Sequence, residues 1–150
     1  LGRSGAVDAA VASDGWNVVV QQTAEWNAEK AQQIVQSVID AGTPFNVIYA
    51  ENDDMAKGAV AALDKANISH GVGKDVVIMG FDCNKWALEE LLAQNWNYDG
   101  QCNPFQASYI DEIIKTLESG GEVAEKVVIL DEKGFDATTI TQEDVDAYGI

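Results

Sequence analysis

The sequence predicts an α/β fold with a doubly wound, mostly parallel sheet. Short apolar runs rich in valine and isoleucine alternate along the chain with segments whose apolar residues recur at helical spacing. The 150 residues suit one domain of ordinary size, and a 47% apolar content with only 8% aromatics fits an aliphatic interior. Because helices that separate strands require parallel crossover connections, most of the sheet is expected to be parallel.

The strands are predicted from apolar runs that stop at glycine, amide or acidic residues. In chain order they are residues 17–21, 45–50, 76–81, 98–102 and 127–130. The helices are predicted from apolar stripes with suitable start and stop residues. They are residues 26–41, which Gly42 ends, 54–67, 84–94, 104–117, which Pro104 opens, and a short final helix 141–148. Thr141 is its expected N-cap, with Asp144 at its third position.

Charge and composition exclude several classes of partner. The net charge of −16 comes from 25 acidic and 9 basic residues and repels nucleic acid and anionic membrane surfaces. No apolar run approaches the roughly 20 residues needed to cross a bilayer, so direct membrane insertion is not expected. The two cysteines and His70 lack the spacing of metal ligands, and we expect no metal and no cofactor. The chain starts without methionine or a signal peptide and is expected to be a piece of a longer protein.

Polar residues follow two of the predicted strands. Asp82 ends the sequence Gly-Phe-Asp after the apolar run 76–79, and Asn52 follows the run 46–50. Ligands of open α/β sheets bind at the carboxyl ends of the strands, so both side chains are expected at one crevice. Trp26 follows a loop at the same edge and either stacks on a sugar ring or packs against a neighbouring loop.

Catalytic arrangements are not found in the sequence. The glycine-rich residues 71–74 precede a strand and are expected to be a turn rather than a phosphate loop. Cys83 lies at the opposite end of its strand from His70, the only histidine. A flavodoxin-like or receiver-like enzyme would need a phosphate loop or a catalytic pair that is missing here. We therefore expect a binding protein with no catalytic residues.

Four motifs in order resemble the C-terminal half of type I periplasmic sugar-binding proteins of ABC transporters, such as the ribose- and galactofuranose-binding members. The motifs are residues 52–59, 73–76, 80–82 and 102–104, and the resemblance extends from about Gly2 to the end. It implies the C-terminal lobe of the type I periplasmic-binding-protein fold. It also implies that Asn52 and Asp82 hydrogen-bond a sugar on which Trp26 stacks.

The chain departs from the family pattern at two places. The family's arginine in the first helix, in a pattern near Ala-x-x-Arg, has no evident counterpart. The family's glutamine two residues before the proline is replaced by Cys102, and Gln101 comes one residue earlier, on the other face of a regular strand. Both remain candidate ligand-binding residues. Under the resemblance, Cys83 and Cys102 are either a disulfide or two independent small residues.

The resemblance also implies a domain organisation and a function. Residues 1–103 are expected to form the C-terminal ligand-binding lobe, incomplete at its start, and residues 104–124 a helix that packs on an N-terminal lobe. Residues 125–150 are expected to form a return strand and a tail. The implied function is capture of a sugar or sugar-like ligand for an ABC transporter permease, in the periplasm or another extracytoplasmic location, with a lipid anchor as an option in the full-length protein. The alternative is the effector-sensing domain of a LacI-type transcription regulator, which requires a DNA-binding helix-turn-helix upstream.

Overall fold

The computed structural model describes residues 2–150. Within this range the chain alternates helices with short strands, beginning with two helices. The elements are α1 Gly2–Asp14, α2 Ala28–Asp40, β1 Val47–Tyr49, α3 Asp53–Lys65, β2 Val77–Asp82, α4 Lys85–Leu92, β3 Tyr98–Gln101, α5 Ala107–Glu118, β4 Gly134–Asp136 and α6 Gln142–Tyr148.

The four strands form one sheet in the order β1-β2-β3-β4. The β1–β2 and β2–β3 pairs are parallel, and β4 runs antiparallel to β3. The register places Met79 of β2 beside Tyr49 of β1 and Asp82 of β2 beside Gln101 of β3. The predicted α/β class with a mostly parallel sheet is thereby confirmed.

The core lies on one face of this sheet. Ile78 is fully buried there among the α3 and α4 side chains Leu63, Leu88 and Leu91, together with the ring of Trp96. On the other face, Tyr49 and Phe81 meet edge to face with ring centroids 5.3 Å apart. Helix α1 reaches this second face, because the Tyr49 hydroxyl donates to the carbonyl oxygen of Arg3 over 3.1 Å. The strand side chains thus alternate between a deep core and a shallower layer beneath α1.

Side-chain caps define the starts of three helices. Asn27 caps α2, Asn52 caps α3, and Thr141 caps α6. At α6, the Thr141 hydroxyl accepts from the Asp144 backbone N–H and the Asp144 carboxylate accepts from the Thr141 N–H over 3.0 Å, a complete capping box. The predicted roles of Thr141 and Asp144 are confirmed.

The predicted strand at residues 17–21 is wrong. This segment is irregular, with a bend at Val19, and makes no backbone–backbone hydrogen bond to the described residues. Val18, Val19 and Val20 are all exposed. A cavity of about 530 Å³ is lined by this segment on one side and by β1 and α2 on the other. An apolar β-branched run becomes a strand only when a partner edge lies within hydrogen-bonding distance, and β1 does not reach this segment.

The predicted strand at residues 127–130 is also wrong. Val127 and Ile129 of this segment are exposed and irregular, and the last strand is instead β4. Phe135 of β4 is buried in the core opposite Asp99. Gly134 lets the strand approach β3, because a Cβ at that position would lie 1.8 Å from the Tyr98 hydroxyl oxygen. The segment that pairs with β3 is therefore the one whose side chain, Phe135, can enter the core, and not the segment with the longer apolar run.

Substitution of Gly80 by alanine tests the packing of β2. The added Cβ would lie 2.7 Å from Asp53 Oδ1 and 2.9 Å from Trp96 Cζ3, both in the buried core. We expect Gly80→Ala to lower the free energy of unfolding by about 1–3 kcal/mol, measured by urea denaturation. Gly5→Ala is the control: a Cβ there meets nothing within 4 Å, and alanine should stabilise α1 by about 0.5–1 kcal/mol. Equal stability of the Gly80→Ala variant and the parent chain would contradict this packing.

Candidate functional site

The carboxyl ends of β1 and β2 meet the N-terminus of α1 at one edge of the sheet. Arg3 in the first turn of α1 donates from Nη2 to Asp82 Oδ1 over 2.9 Å and from Nη1 to the carbonyl oxygen of Glu51. Its guanidinium carbon lies 4.8 Å from the centroid of the Phe81 ring. The Arg3 and Asp82 side chains remain 25% and 28% exposed, so the ion pair is open to solvent on one side.

Arg3 is the functional residue that the sequence reasoning missed. It is the single arginine of the chain, and the structure brings it to the site although it does not fit the family pattern considered above. No local pattern signals this role, because no described strand precedes α1 and the ion pair joins residues 79 positions apart. A cation at the positive end of a helix also opposes the helix dipole, which indicates that Arg3 is held there by its carboxylate partner.

Asn52 caps helix α3 with its side-chain oxygen and has a second side-chain group, the Nδ2 donor, that the cap does not use. Its Oδ1 accepts from the Met55 backbone N–H over 2.9 Å and caps α3. Its Nδ2 has no hydrogen-bond partner among residues 2–150 and keeps contact with solvent, although the residue as a whole is only 8% exposed. Next to it, the Glu51 carboxylate accepts from the Ser4 hydroxyl. The edge therefore carries a free amide donor beside two carboxylates and a guanidinium.

Trp26 is an exposed aromatic residue, with 62% of its surface open to solvent. The residue has φ +60°, a left-handed conformation that is unusual for a bulky side chain, and Glu25 before it has φ +53°. Trp26 lines the cavity described above together with Ser4 and Glu51. An exposed aromatic ring therefore borders the same space as the polar edge.

Gln101 and Cys102 do not join the hydrogen-bonded cluster of Arg3, Glu51 and Asp82. Gln101 lies beside Asp82 in the sheet register, but its Oε1 accepts from the Lys133 backbone N–H over 3.2 Å. Cys102 is an exposed free thiol. Cys83 is buried and also free, with its Sγ 3.8 Å from Asp99 Oδ1, so the disulfide considered from the sequence is not formed.

A pair of buried carboxyl groups lies beneath the edge. Asp53 and Asp99 are fully buried, and burial raises the pKa of both carboxyls. The pKa of Asp99 is raised further by the charge of Asp53. Asp53 Oδ2 accepts from the backbone N–H and the side-chain amide of Asn84, over 2.8 and 3.1 Å. Neither Asp53 nor Asp99 is among the candidate site residues named from the sequence.

Residues 2–150 contain neither a membrane-spanning helix nor a cluster of metal-ligating side chains. No described helix is long and apolar enough to cross a membrane. No group of three or more histidine, cysteine or acidic side chains in that range could hold a metal ion.

The fold and the edge define a class of protein. An α/β lobe with a guanidinium, a carboxylate, an amide donor and an exposed indole near the carboxyl edge of its sheet has the groups that suit a small polar ligand. The chain belongs to the family described as periplasmic binding protein domain, which residues 3–114 match. The resemblance inferred from the sequence motifs is confirmed.

Relatives and solved structures agree with this family. The chain is similar to the fructose import binding protein FruE of Bifidobacterium longum, with 31% identity over 124 residues that cover 81% of this chain and 36% of the relative. It is 30% identical over 81 residues to the ribose import binding protein RbsB of Bacillus subtilis, covering 54% of this chain and 25% of the relative. An ABC transporter periplasmic solute binding protein from Actinobacillus succinogenes, solved with bound D-allose, matches with 25% identity and a TM-score of 0.79.

The chain spans only part of these relatives. It covers a quarter to about a third of the two import binding proteins and 49% of the solved Actinobacillus chain, while 97% of this chain is matched by that structure. The relatives are binding proteins of transport rather than enzymes, in agreement with the sequence prediction.

Two substitutions at Asn52 separate its cap from its free donor. Asn52→Ala removes the cap oxygen and is expected to lower the free energy of unfolding by about 1 kcal/mol. Asn52→Ser keeps a capping oxygen, removes Nδ2, and should leave stability within a few tenths of a kcal/mol of the parent. Urea denaturation measures both. Equal losses in the two variants would mean that the side chain does not stabilise α3 as a cap.

Proposed function

We propose that this chain is the C-terminal ligand-binding lobe of an extracytoplasmic solute-binding protein that captures a sugar or sugar-like ligand. The ligand is then delivered to the permease of an ABC importer. The observation that carries the proposal is the Arg3–Asp82 ion pair at the carboxyl edge, next to the free amide of Asn52. Two relatives are named as a ribose import binding protein and a fructose import binding protein, and these names support a sugar as the ligand.

The chemistry of the edge suits a sugar. Each sugar hydroxyl both donates and accepts, so it can donate to Asp82 while it accepts from Arg3. Asn52 Nδ2 supplies one more donor. The apolar face of a sugar ring can lie on the exposed indole of Trp26, which gives both kinds of contact that a carbohydrate needs. Because Arg3 and Asp82 already hold each other, little side-chain entropy is lost when the ligand binds.

The other half of the proposed ligand-binding site is assigned to an N-terminal lobe. Helix α5 exposes an apolar stripe that includes Ile110, Ile114 and Leu117, with Phe105 exposed just before it. We assign residues 1–103 to the C-terminal lobe, 104–124 to the helical segment that packs on the N-terminal lobe, and 125–150 to the return segment and tail. Closure of the two lobes about a hinge would enclose the sugar. An extracytoplasmic location, in the periplasm or with a lipid anchor, follows from this function.

Removal of the Asp82 carboxylate tests the site. The full-length protein is heated with D-ribose, D-fructose and D-allose, the sugars named for the relatives above. A sugar at about 100 times its Kd should stabilise the parent protein by about 2.7 kcal/mol, seen as a rise in Tm. We expect Asp82→Ala to abolish this rise because the hydroxyl acceptor is lost. Asp131→Ala, in an exposed segment far along the chain, is the control and should keep it; an unchanged rise in Asp82→Ala would remove Asp82 from the site.

Substitution of Trp26 tests whether its ring stacks on the bound sugar. Trp26→Ala is expected to weaken sugar affinity by about 0.5–1.5 kcal/mol, or about two- to tenfold, because the ring face is lost. Trp26→Phe keeps an aromatic face and should retain most of the affinity. Isothermal titration with the sugar that stabilises the parent protein measures both. Parent-like affinity in Trp26→Ala would show that its ring does not contact the ligand.

A further inference from the structure

The residues that follow β2 have an unusual backbone. Asp82 has φ +114° and Cys83 has φ +60°, and neither is glycine. L-residues adopt these values only when surrounding contacts hold them there. Since Asp82 is the carboxylate proposed to bind the sugar, whatever holds this turn also sets the direction of that carboxylate.

Two acidic side chains of the core, Asp53 and Asp99, contact the turn formed by residues 82–84. Asp53, at the start of α3, accepts from the Asn84 N–H over 2.8 Å and from its side-chain amide over 3.1 Å. Asp99 of β3 accepts from the Cys83 thiol, whose Sγ lies 3.8 Å from Asp99 Oδ1. Two successive residues of the turn therefore donate to two different carboxyl groups, which come from separate elements of the core.

The two carboxyl groups lie beside the same residue of β2: Asp99 pairs with Gly80 in the sheet register, and a Cβ on Gly80 would lie 2.7 Å from Asp53 Oδ1. Asp53 Oδ1 and Asp99 Oδ2 are both buried and accept no hydrogen bond from a donor within residues 2–150. Burial raises the pKa of Asp99 and the charge of Asp53 raises it further, so Asp99 is the carboxyl that holds a proton more strongly. Two ionised carboxylates cannot satisfy each other, because both would be acceptors only. One of the pair must carry a proton.

No cation among the described residues forms an ion pair with Asp53 or Asp99. The other titratable groups that face this pair are Asp82 at the end of β2 and the Cys83 thiol, and neither is positively charged. Gly80 leaves the space that the pair occupies, since a Cβ there would lie 2.7 Å from Asp53 Oδ1.

We propose that Asp53 and Asp99 share a single proton and together act as positioning residues for Asp82, so that loss of this proton releases the turn formed by residues 82–84. The part of the proposal that concerns sugar binding rests on the proposed function. The proton and the turn are properties of the chain itself and can be measured without a ligand.

The direction of the pH effect follows from the raised pKa values of Asp53 and Asp99. Burial raises the pKa of Asp53 from 3.8 to about 6 and, with the charge of Asp53, that of Asp99 to about 9. The folded protein therefore binds more protons than the unfolded chain between about pH 4 and 9, so stability falls as the pH rises. The shared proton is present at neutral pH and is lost as the pH passes about 9.

Asp99→Asn is the informative variant. The asparagine amide can still donate to Asp53 but cannot be ionised. Amide hydrogen exchange at Cys83 and Asn84, measured by NMR and expressed as protection factors, reports the turn directly. In the parent chain we expect protection at both amides to fall about tenfold per pH unit above pH 9, whereas in Asp99→Asn it stays constant. Asp54→Asn, an exposed acid on the same helix turn, should behave like the parent.

Two further measurements make the test decisive. The infrared spectrum of the parent chain at pH 7 should contain the C=O band of a buried protonated carboxyl group, and Asp99→Asn should lack it. Asp99→Ala should lose protection at residues 83 and 84 at every pH; if this variant does not fold, the comparison of parent and Asp99→Asn decides alone. A missing infrared band, or the same loss of protection in Asp99→Asn as in the parent, would overturn the proposal.

The sugar titration separates this proposal from the proposed function. With the sugar that stabilises the parent protein, affinity should fall between pH 8 and 10 in the parent and remain within about twofold in Asp99→Asn. Should no sugar stabilise the parent protein while the exchange and infrared results are as expected, the proposed function fails and the shared proton stands. Should sugar bind with equal pH dependence in parent and Asp99→Asn, the positioning role fails.

Discussion

The burial of the Asp53 carboxyl beneath Gly80 connects the parts of the molecule that meet at the carboxyl edge. Asp53 begins α3 directly after the Asn52 cap, it occupies the space left by the missing side chain of Gly80 in β2, and it accepts two hydrogen bonds from Asn84. Asp99 of β3 lies beside the same Gly80 in the sheet register. A charge removed from water must be hydrogen-bonded or neutralised, so each of these neighbours is constrained by the same group.

The polar edge next to this pair depends on the Arg3 guanidinium. The chain carries a large excess of acids, and three of them, Glu51, Asp82 and the buried Asp53, lie within one short stretch of the sheet edge. Arg3 offsets part of this charge through its bonds to Asp82 and to the Glu51 carbonyl. A guanidinium suits this place because its planar fork donates in two directions and its face rests on the Phe81 ring. The result is a polar surface organised before any ligand arrives.

Much of the fold could be predicted because the signals are local. The cap of α6 needs only Thr141 and Asp144, three residues apart, and the helical stripes need only their own spacing. The two strand predictions that failed concern a property that is not local. Residues 17–21 and 127–130 have the composition of strands, yet a strand exists only where a neighbouring edge is available, and β4 with its buried Phe135 takes the edge of β3.

The sequence by itself determined the α/β class, the family and the positions of Asn52 and Asp82 at strand ends, because strand and helix periodicity and short motifs are read from neighbouring residues. Only the tertiary structure decided that Arg3 reaches Asp82, 79 positions away in the chain, that Asp53 and Asp99 are both buried beside Gly80, and that Cys83 stays a free buried thiol. These contacts join residues from different elements. Their geometry follows from how the helices pack on the sheet, and no spacing along the chain records it.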